Sequence, residues 1–186
     1  MNFQRITSIA HDCVAARLRP GDRAVDATVG NGYDTLFLAH CVGIGGRVDG
    51  FDIQEAAISA TRLKVAEFEQ VRLHCLGHER MAEVVSGPVN AIMFNLGYLP
   101  SGDKSIITRQ ETTRLALRAA LGLLSGGGLL TVVVYPRHAG GRAEAAAVEE
   151  AFRKLDPSHY NVVRKVTNSA KPENETPYLL AVERKR

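Results

Sequence analysis

The chain has 186 residues, of which 45% are hydrophobic and 23% are charged, and its formal net charge is +3. This length and composition are ordinary for one globular domain, which we expect to span residues 1–186. The mild excess of lysine and arginine permits a nucleic-acid partner without requiring one.

Three cysteines, none in a CxxC pair, indicate neither a disulfide framework nor a zinc site. We expect Cys13, Cys41 and Cys75 to be buried free thiols, and we expect no metal cofactor. The amino terminus lacks the charged start and apolar block of a secretory signal, and no apolar run approaches the roughly 20 residues of a membrane span. These features predict a cytoplasmic protein.

Hydrophobic spacing predicts an amino-terminal helix followed by alternating strands and helices. Apolar residues recur at helical spacing between positions 3 and 18, where the run "RPGD" ends the pattern. Further helices are predicted at 33–41, 54–68, 78–85, 107–124 and 141–155, with "SGGG" closing the helix at 107–124. Strands are predicted at 23–27, 46–52, 71–76, 89–95, 129–135, 159–167 and 178–185.

Five strand–helix units imply a parallel sheet covered on both faces, because parallel strands need crossover connections. The last two predicted strands have no helix between them, which implies an antiparallel finish at one edge. The expected fold is therefore α/β, a Rossmann-like, doubly wound, seven-stranded sheet that is mostly parallel. Ligands of such folds bind outside the carboxyl ends of the strands.

An acidic, glycine-rich loop follows the first predicted strand. The run "DATVGNGYDT" holds two glycines between two aspartates: Asp26, Gly30, Gly32 and Asp34. The glycines allow a sharp turn and a close approach of a ligand to the backbone. Asp52 ends the second strand, 20 positions beyond Gly32, where a carboxylate accepts hydrogen bonds from ribose hydroxyls.

Two cofactors compete for this loop. A dinucleotide fingerprint needs a third glycine at the position of Thr35, and the carboxylates of Asp26 and Asp34 repel a pyrophosphate. S-adenosylmethionine carries an ammonium and a sulfonium, which the same carboxylates attract. The pattern D-x-T-x-G-x-G also resembles motif I of class I methyltransferases, with Thr28 at a usual glycine position. A tight turn with a surface acid and no ligand is the remaining alternative.

A second motif, "FNLGYLP", lies at the end of the fourth predicted strand. It is similar to the Asn-Pro-Pro-Tyr motif of amino-group methyltransferases, with Leu96-Gly97 in place of Pro-Pro. The similarity implies that Asn95 and the Leu96 carbonyl accept hydrogen bonds from the target nitrogen, and that Tyr98 stacks on the target base. A strand-end turn in which Asn95 caps the backbone is the alternative.

Five blocks of sequence together resemble the YtqB-like family, often labelled "putative rRNA methylase", from about residue 10 to the carboxyl terminus. The blocks are "GDRAVDATVGNGYDTLFLA", "FDIQEAAI", "GHERM", "FNLGYLPSGDKSIIT" and "VVVYPRHAGG". The resemblance implies a class I methyltransferase that uses S-adenosylmethionine. Members include a tRNA methyltransferase that converts 5-aminomethyl-2-thiouridine at the wobble position into its methylaminomethyl form. We therefore expect tRNA, through its anticodon stem-loop, to be the partner.

Roles follow for each candidate residue. We expect the methionine part of the cofactor to lie against Asp26, Thr28, Gly30, Asn31, Gly32 and Asp34. The ribose and adenine are expected at Asp52, Ile53, Gln54, His78 and Glu79, with Asn95 bordering both cofactor and acceptor. The catalytic pair is Asn95 and Tyr98, assisted by Asp103 or His138 as proton acceptor. The other histidines that we considered are expected to be structural: His11, His40, His74 and His159.

Basic residues near both motifs predict an RNA-binding patch: Lys104, Arg109, Arg114, Arg137, His138 and Arg142. Arg137 stands where the family resemblance leads us to expect a small residue, so it is either a phosphate contact or a surface charge. A homodimer would enlarge this patch. Three other functions stay open: a methyltransferase acting on small-molecule, protein or rRNA amines, a non-catalytic RNA-binding protein, and an NAD oxidoreductase that the missing glycine disfavours.

Overall fold

The computed structural model describes residues 4–99, 106–167 and 176–186. The helices are α1 Ile6–Ala15, α2 Tyr33–Val42, α3 Glu55–Lys64, α4 Met81–Val84, α5 Gln110–Leu123 and α6 Gly141–Arg153, with a 3₁₀ turn at His78–Arg80. The strands are β1 Arg23–Asp26, β2 Arg47–Asp52, β3 Val71–Cys75, β4 Val89–Asn95, β5 Leu124–Val134, β6 Tyr160–Val166 and β7 Tyr178–Arg184.

The strands form one seven-stranded sheet in the order β3-β2-β1-β4-β5-β7-β6. β1 to β5 are parallel, and β7 runs antiparallel to both of its neighbours. The predicted α/β fold with an antiparallel finish is confirmed. Because β1 lies beside β4, the strand order reverses between them, and this switch point is where doubly wound sheets bind ligands.

Two apolar cores cover the two faces of the sheet. Residues from α4, α5 and α6 pack with Ile92 and Phe94 of β4 on one face. Residues from α1 and α2 pack with Met93 of the same strand on the other face. Alternate residues of β4 therefore enter opposite cores, which explains why its sequence is nearly continuously apolar. The packing on both faces fixes the carboxyl ends of β1 and β4 side by side.

α5 ends at Leu123, close to its predicted end, but the glycine run "SGGG" already belongs to β5, which was predicted to begin only at residue 129. β5 begins at Leu124, which pairs with Val89, and the register then shifts so that Leu129 pairs with Ala91. Gly127 adopts a left-handed φ of +82° inside this irregularity. The prediction was wrong because glycines that usually end a helix also let a strand take up extra residues as a bulge.

The cysteines are free among the described residues, as predicted. Their predicted burial is wrong: Cys75 is exposed, and Cys13 and Cys41 are half-buried. Cys75 lies on β3, an outer strand of the sheet, where one side is open to solvent. Within the described ranges, no helix has both the length and the apolar character needed to cross a membrane.

Candidate active site

The loop between β1 and α2 packs directly on α3. Gly30 and Gly32 have left-handed φ values of +50° and +73°. A Cβ on Gly32 would lie 2.5 Å from the Thr61 hydroxyl of α3, so a larger residue has no room there. The Thr61 hydroxyl also donates a 3.4 Å hydrogen bond to the Gly30 carbonyl. Lys64 reaches the Asn31 carbonyl at 2.5 Å, so α3 holds the loop through two successive carbonyls.

Asp26, at the carboxyl end of β1, is completely buried. One carboxylate oxygen accepts a 3.1 Å hydrogen bond from the Thr28 amide, and the other accepts a 2.6 Å bond from the Thr35 hydroxyl. Burial, followed by the nearby Asp34 carboxylate, raises the pKa of Asp26 from its ordinary 3.8 to about 7. The residue that replaces the third glycine of a dinucleotide fingerprint thus serves as a hydrogen-bond donor to this buried acid.

Asp34, in the first turn of α2, joins three elements of the structure. Its Oδ1 lies 2.6 Å from Nε2 of His11 on α1, and its Oδ2 accepts a hydrogen bond from Nδ2 of Asn95 on β4. The Asn95 backbone amide also donates a 2.7 Å bond to the Thr28 hydroxyl. The acidic loop and the "FNLGYLP" motif, predicted separately, therefore form one site.

The side-chain oxygen of Asn95 is buried and has no partner among the described residues. Because the amide nitrogen must face the Asp34 carboxylate, Oδ1 has to point the other way. A buried acceptor without a donor is costly, by about 1–3 kcal/mol, unless a ligand supplies the missing hydrogen. This atom is the strongest indication in the structure of where a substrate donor binds.

The residues after β2 lie beside the same loop. Asp52 accepts 2.9 Å hydrogen bonds from the amides of Gly30 and Gln54, one at each carboxylate oxygen. Ile53 is 60% exposed and lies next to the polar loop. An exposed apolar surface beside a carboxylate suits a nucleoside, whose base is apolar on its faces and whose ribose carries hydroxyls.

His78, predicted to lie near the adenine, is buried, with only 8% of its surface exposed. Burial lowers the pKa of its imidazole, and the ring centroid lies 5.6 Å from that of Phe94 in the core. The buried ring therefore packs against the core, where its neutral form is favoured. Glu79 is half-buried and folds against Gly77, where a Cβ would meet its carboxylate at 2.4 Å.

The turn after Asn95 is anchored by a buried glutamate, Glu144 of α6, which is 1% exposed. The Gly97 amide donates to the Thr108 hydroxyl at 2.8 Å, and that hydroxyl donates to Glu144 at 2.9 Å. Thr113 of α5 donates to the other Glu144 oxygen at 2.6 Å. This network ties the turn after Asn95 to both α5 and α6. Tyr98, 42% exposed, projects from the turn beside the site.

The predicted RNA-binding residues differ in their exposure. The side chains of Arg109, Arg114, Arg137 and Arg142 are exposed, as an RNA contact requires. The His138 side chain is only 5% exposed and lies 3.6 Å from Glu144, so it is poorly placed to contact a phosphate and this prediction is corrected. Its ring stands edge-on to that of Tyr98, with centroids 6.5 Å apart. Lys104 and Asp103 lie outside the described residues.

Two functional residues were missed in the sequence. His11 was expected to be structural because no partner stands at a recognisable spacing, yet it contacts Asp34 across 23 positions. Glu144 lies in the alanine-rich run "AEAAA", which carries no sign of a buried acid. Both contacts join different helices, so only the packing of those helices brings the partners together.

The chain is similar to several characterised or solved proteins. It is 43% identical over 159 residues to the chloroplastic tRNA (mnm⁵s²U34)-methyltransferase of Arabidopsis thaliana, a match that covers 78% of this chain and 58% of that protein. The chain thus spans little more than half the length of this curated relative.

Two solved structures match nearly the whole chain. A "putative rRNA-methylase" from Clostridium thermocellum is 42% identical with a TM-score of 0.92, over 99% of this chain and 100% of that one. A "putative methyltransferase" from Streptococcus mutans, solved in complex with SAH, is 35% identical with a TM-score of 0.86, over 98% and 99% of the two chains. A family model described as "Putative rRNA methylase" matches residues 48–183, and the chain belongs to that family.

Proposed function

We propose that this protein is an S-adenosylmethionine-dependent methyltransferase that N-methylates the 5-aminomethyl group of 2-thiouridine at the tRNA wobble position. The observation that carries this proposal is the buried, unpartnered Oδ1 of Asn95 at the switch point of the sheet. An amine donates hydrogen bonds, so it satisfies this oxygen. An alkoxide or a carboxylate has no hydrogen to donate and would leave the oxygen without a partner.

The residues at the switch point suit a cationic cofactor. Asp26 and Asp34 are both buried, and in the part of the chain that the structure describes no ion pair joins either of them to lysine or arginine. Burial, and after it the nearby Asp34 carboxylate, raises the pKa of Asp26 to about 7. S-adenosylmethionine, when bound, supplies a methyl group on a positively charged sulfur. Its cationic part would relieve the repulsion between the two acids.

Methyl transfer to an amine depends on orientation. An alkylamine is mostly protonated near neutral pH, so it must lose a proton before its lone pair is available. Asn95 accepts a hydrogen bond from one amine hydrogen and thereby aims the lone pair, while Tyr98 provides an exposed ring for the uracil base. Glu144 holds the turn after Asn95 through Thr108, and this limits the positions that the amine can occupy.

The choice of tRNA as substrate rests on the plant relative and on the exposed arginines at the carboxyl edge of the sheet. The relative modifies U34 of tRNA by name. Arg109 immediately precedes α5 and Arg142 is the second residue of α6, so both lie at the edge where β4 and β5 end. In this proposal the enzyme is cytoplasmic, binds the anticodon stem-loop, and forms a homodimer that widens its small RNA-binding rim.

The first test is methyl transfer by the purified protein. The protein is incubated with S-adenosylmethionine and tRNA that carries 5-aminomethyl-2-thiouridine, and the nucleosides are measured by mass spectrometry. We expect the aminomethyl nucleoside to gain one methyl group, and Asn95→Ala to abolish the gain while still binding SAH. In a strain that lacks the gene, the aminomethyl form should accumulate.

An unchanged wobble nucleoside in both experiments would refute the tRNA proposal. The same incubation is then made with polyamines and with ribosomal RNA. Methylation of either would identify a different amine substrate for the same site.

A further inference from the structure

We infer that His11 is a positioning residue for methyl transfer, which acts through Asp34 to hold the Asn95 amide in its productive orientation. This inference rests on the proposed amine methyl transfer and adds the origin of its geometry. The three side chains come from α1, α2 and β4, so the orientation depends on how two helices pack against the sheet.

The contacts form a continuous chain of hydrogen bonds. Nε2 of His11 lies 2.6 Å from Oδ1 of Asp34, and Nδ2 of Asn95 donates to Oδ2 of the same carboxylate. A carboxylate only accepts hydrogen bonds, so both nitrogens must carry the hydrogen that faces it. With each oxygen taken by one donor, the carboxylate has a fixed rotation, and the Asn95 amide cannot flip.

The position of His11 is itself well defined. Its ring stacks on Phe37 of α2, with the centroids 4.0 Å apart and the planes within 1° of parallel. Its side chain is 28% exposed, so part of the ring meets solvent while Nε2 points inward to Asp34. Packing alone would not require this direction, because α1 is already anchored to the core by Ile6, Ala10 and Val14.

Loss of the His11 donor would release one oxygen of Asp34. The freed carboxylate could then turn, and the Asn95 amide would follow it or exchange its oxygen and nitrogen. Since Oδ1 is the acceptor proposed for the amine, each such change reduces the fraction of bound substrate that is correctly aligned. The effect should therefore fall on the rate of transfer more than on cofactor binding.

Three variants separate the donor from the ring. His11→Gln places an amide nitrogen at the same number of bonds from the backbone as Nε2, so it keeps the donor. His11→Asn places its amide nitrogen only as far as Nδ1 and loses the contact. His11→Phe keeps the stack on Phe37 and has no donor. We expect kcat for RNA methylation to fall about ten- to a hundredfold in His11→Asn and His11→Phe.

His11→Gln should recover kcat to within about threefold of the wild type, and the Kd for SAH, measured by calorimetry, should change less than threefold in all three. Equal losses in His11→Gln and His11→Phe would overturn the positioning role. A rise in the Kd for SAH that matches the loss of activity, with kcat unchanged, would overturn it as well.

A measurement that needs no turnover separates this inference from the proposed function. The side-chain amide signals of Asn95 are assigned in an ¹⁵N spectrum by their absence in Asn95→Ala. We expect the chemical shift of the amide proton that is hydrogen-bonded to Asp34 to change in His11→Phe and to stay the same in His11→Gln. If the wild type methylates no RNA but the shift follows this pattern, the proposed function fails and the positioning contact stands. An unshifted signal in His11→Phe would overturn the contact itself.

Discussion

Two buried carboxylates on neighbouring strands have opposite surroundings. Asp49 of β2 is 2% exposed and receives two hydrogen bonds from the Arg47 guanidinium, at 2.7 and 2.8 Å, with His74 at 3.0 Å. Asp26 of β1 is equally buried, but its donors are a backbone amide and a hydroxyl, and another acid lies nearby. Arg47 neutralises the first carboxylate, whereas among the described residues no lysine or arginine forms an ion pair with the second.

This contrast separates a structural acid from a site acid. A buried carboxylate with a bidentate arginine has its charge compensated within the chain, so folding alone accounts for it. A pair of buried acids without such a partner destabilises the folded chain until a cation binds. The pKa of Asp26 is raised because burial and the nearby Asp34 carboxylate both destabilise its charged form.

The largest effect is expected from Asp34→Asn, which removes a site acid and places an amide against two donors. We expect kcat for RNA methylation to fall about a hundredfold or more, because both the cationic cofactor and Asn95 lose their carboxylate partner. Steady-state kinetics with saturating tRNA measures this loss. A thermal melt serves as the control, and a loss of activity that merely follows unfolding would contradict the assignment.

Asp26→Asn should change how stability depends on pH. The folded pKa of about 7 lies above the unfolded 3.8, so the folded chain binds more protons between these values, and its stability falls as pH rises through this window. We expect the wild type to lose about 2–3 kcal/mol between pH 5 and pH 8 through this group, a slope that the variant lacks.

Urea unfolding of the cofactor-free protein at pH 5 and at pH 8 measures the difference. Comparing the two proteins removes the contribution of the other titrating groups, including His78. Parallel pH profiles would show that Asp26 is ionised normally, and the contrast with Asp49 would no longer hold.

Asp49→Asn should reduce the free energy of unfolding by about 1–3 kcal/mol, because the half-buried Arg47 loses its charged partner. The Kd for SAH should not change. Glu83→Gln is the matched control, since its ion pair with Arg80 is 53% exposed on both sides and its loss should have no measurable effect. Weaker SAH binding in Asp49→Asn would mean that the structural acid also serves the site.

The smallest effect is expected at the arginines around the site. Arg109→Gln combined with Arg142→Gln should weaken tRNA binding a few-fold and reduce the salt dependence of log K by about one per arginine. Arg62→Gln is the control, because Arg62 lies in the last turn of α3, at the opposite edge of the sheet. Equal effects of the control and the double variant would exclude a localised RNA-binding rim.

Local sequence was enough to predict most of the elements. β4 matches its predicted bounds of 89–95, and the strand-end positions of Asp52 and Asn95 are confirmed, while β1 ends at Asp26, one residue earlier than predicted. These predictions succeed because hydrophobic periodicity and strand-ending polar residues are local properties of the chain. The predicted start of β5 at residue 129 was wrong, because the glycines of "SGGG" suit both a helix end and a strand bulge. Pairing with β4 decides between the two.

The sequence by itself determined that acids and glycines follow β1, and that an asparagine and a tyrosine follow β4. Only the tertiary structure decided that Asp34 contacts both Asn95 and His11, that Glu144 holds the acceptor turn, and that His138 is enclosed rather than exposed. The reason is physical: side chains that are distant along the chain interact only when packing brings their elements together. The charge and exposure of each group are then set by the neighbours that this packing supplies.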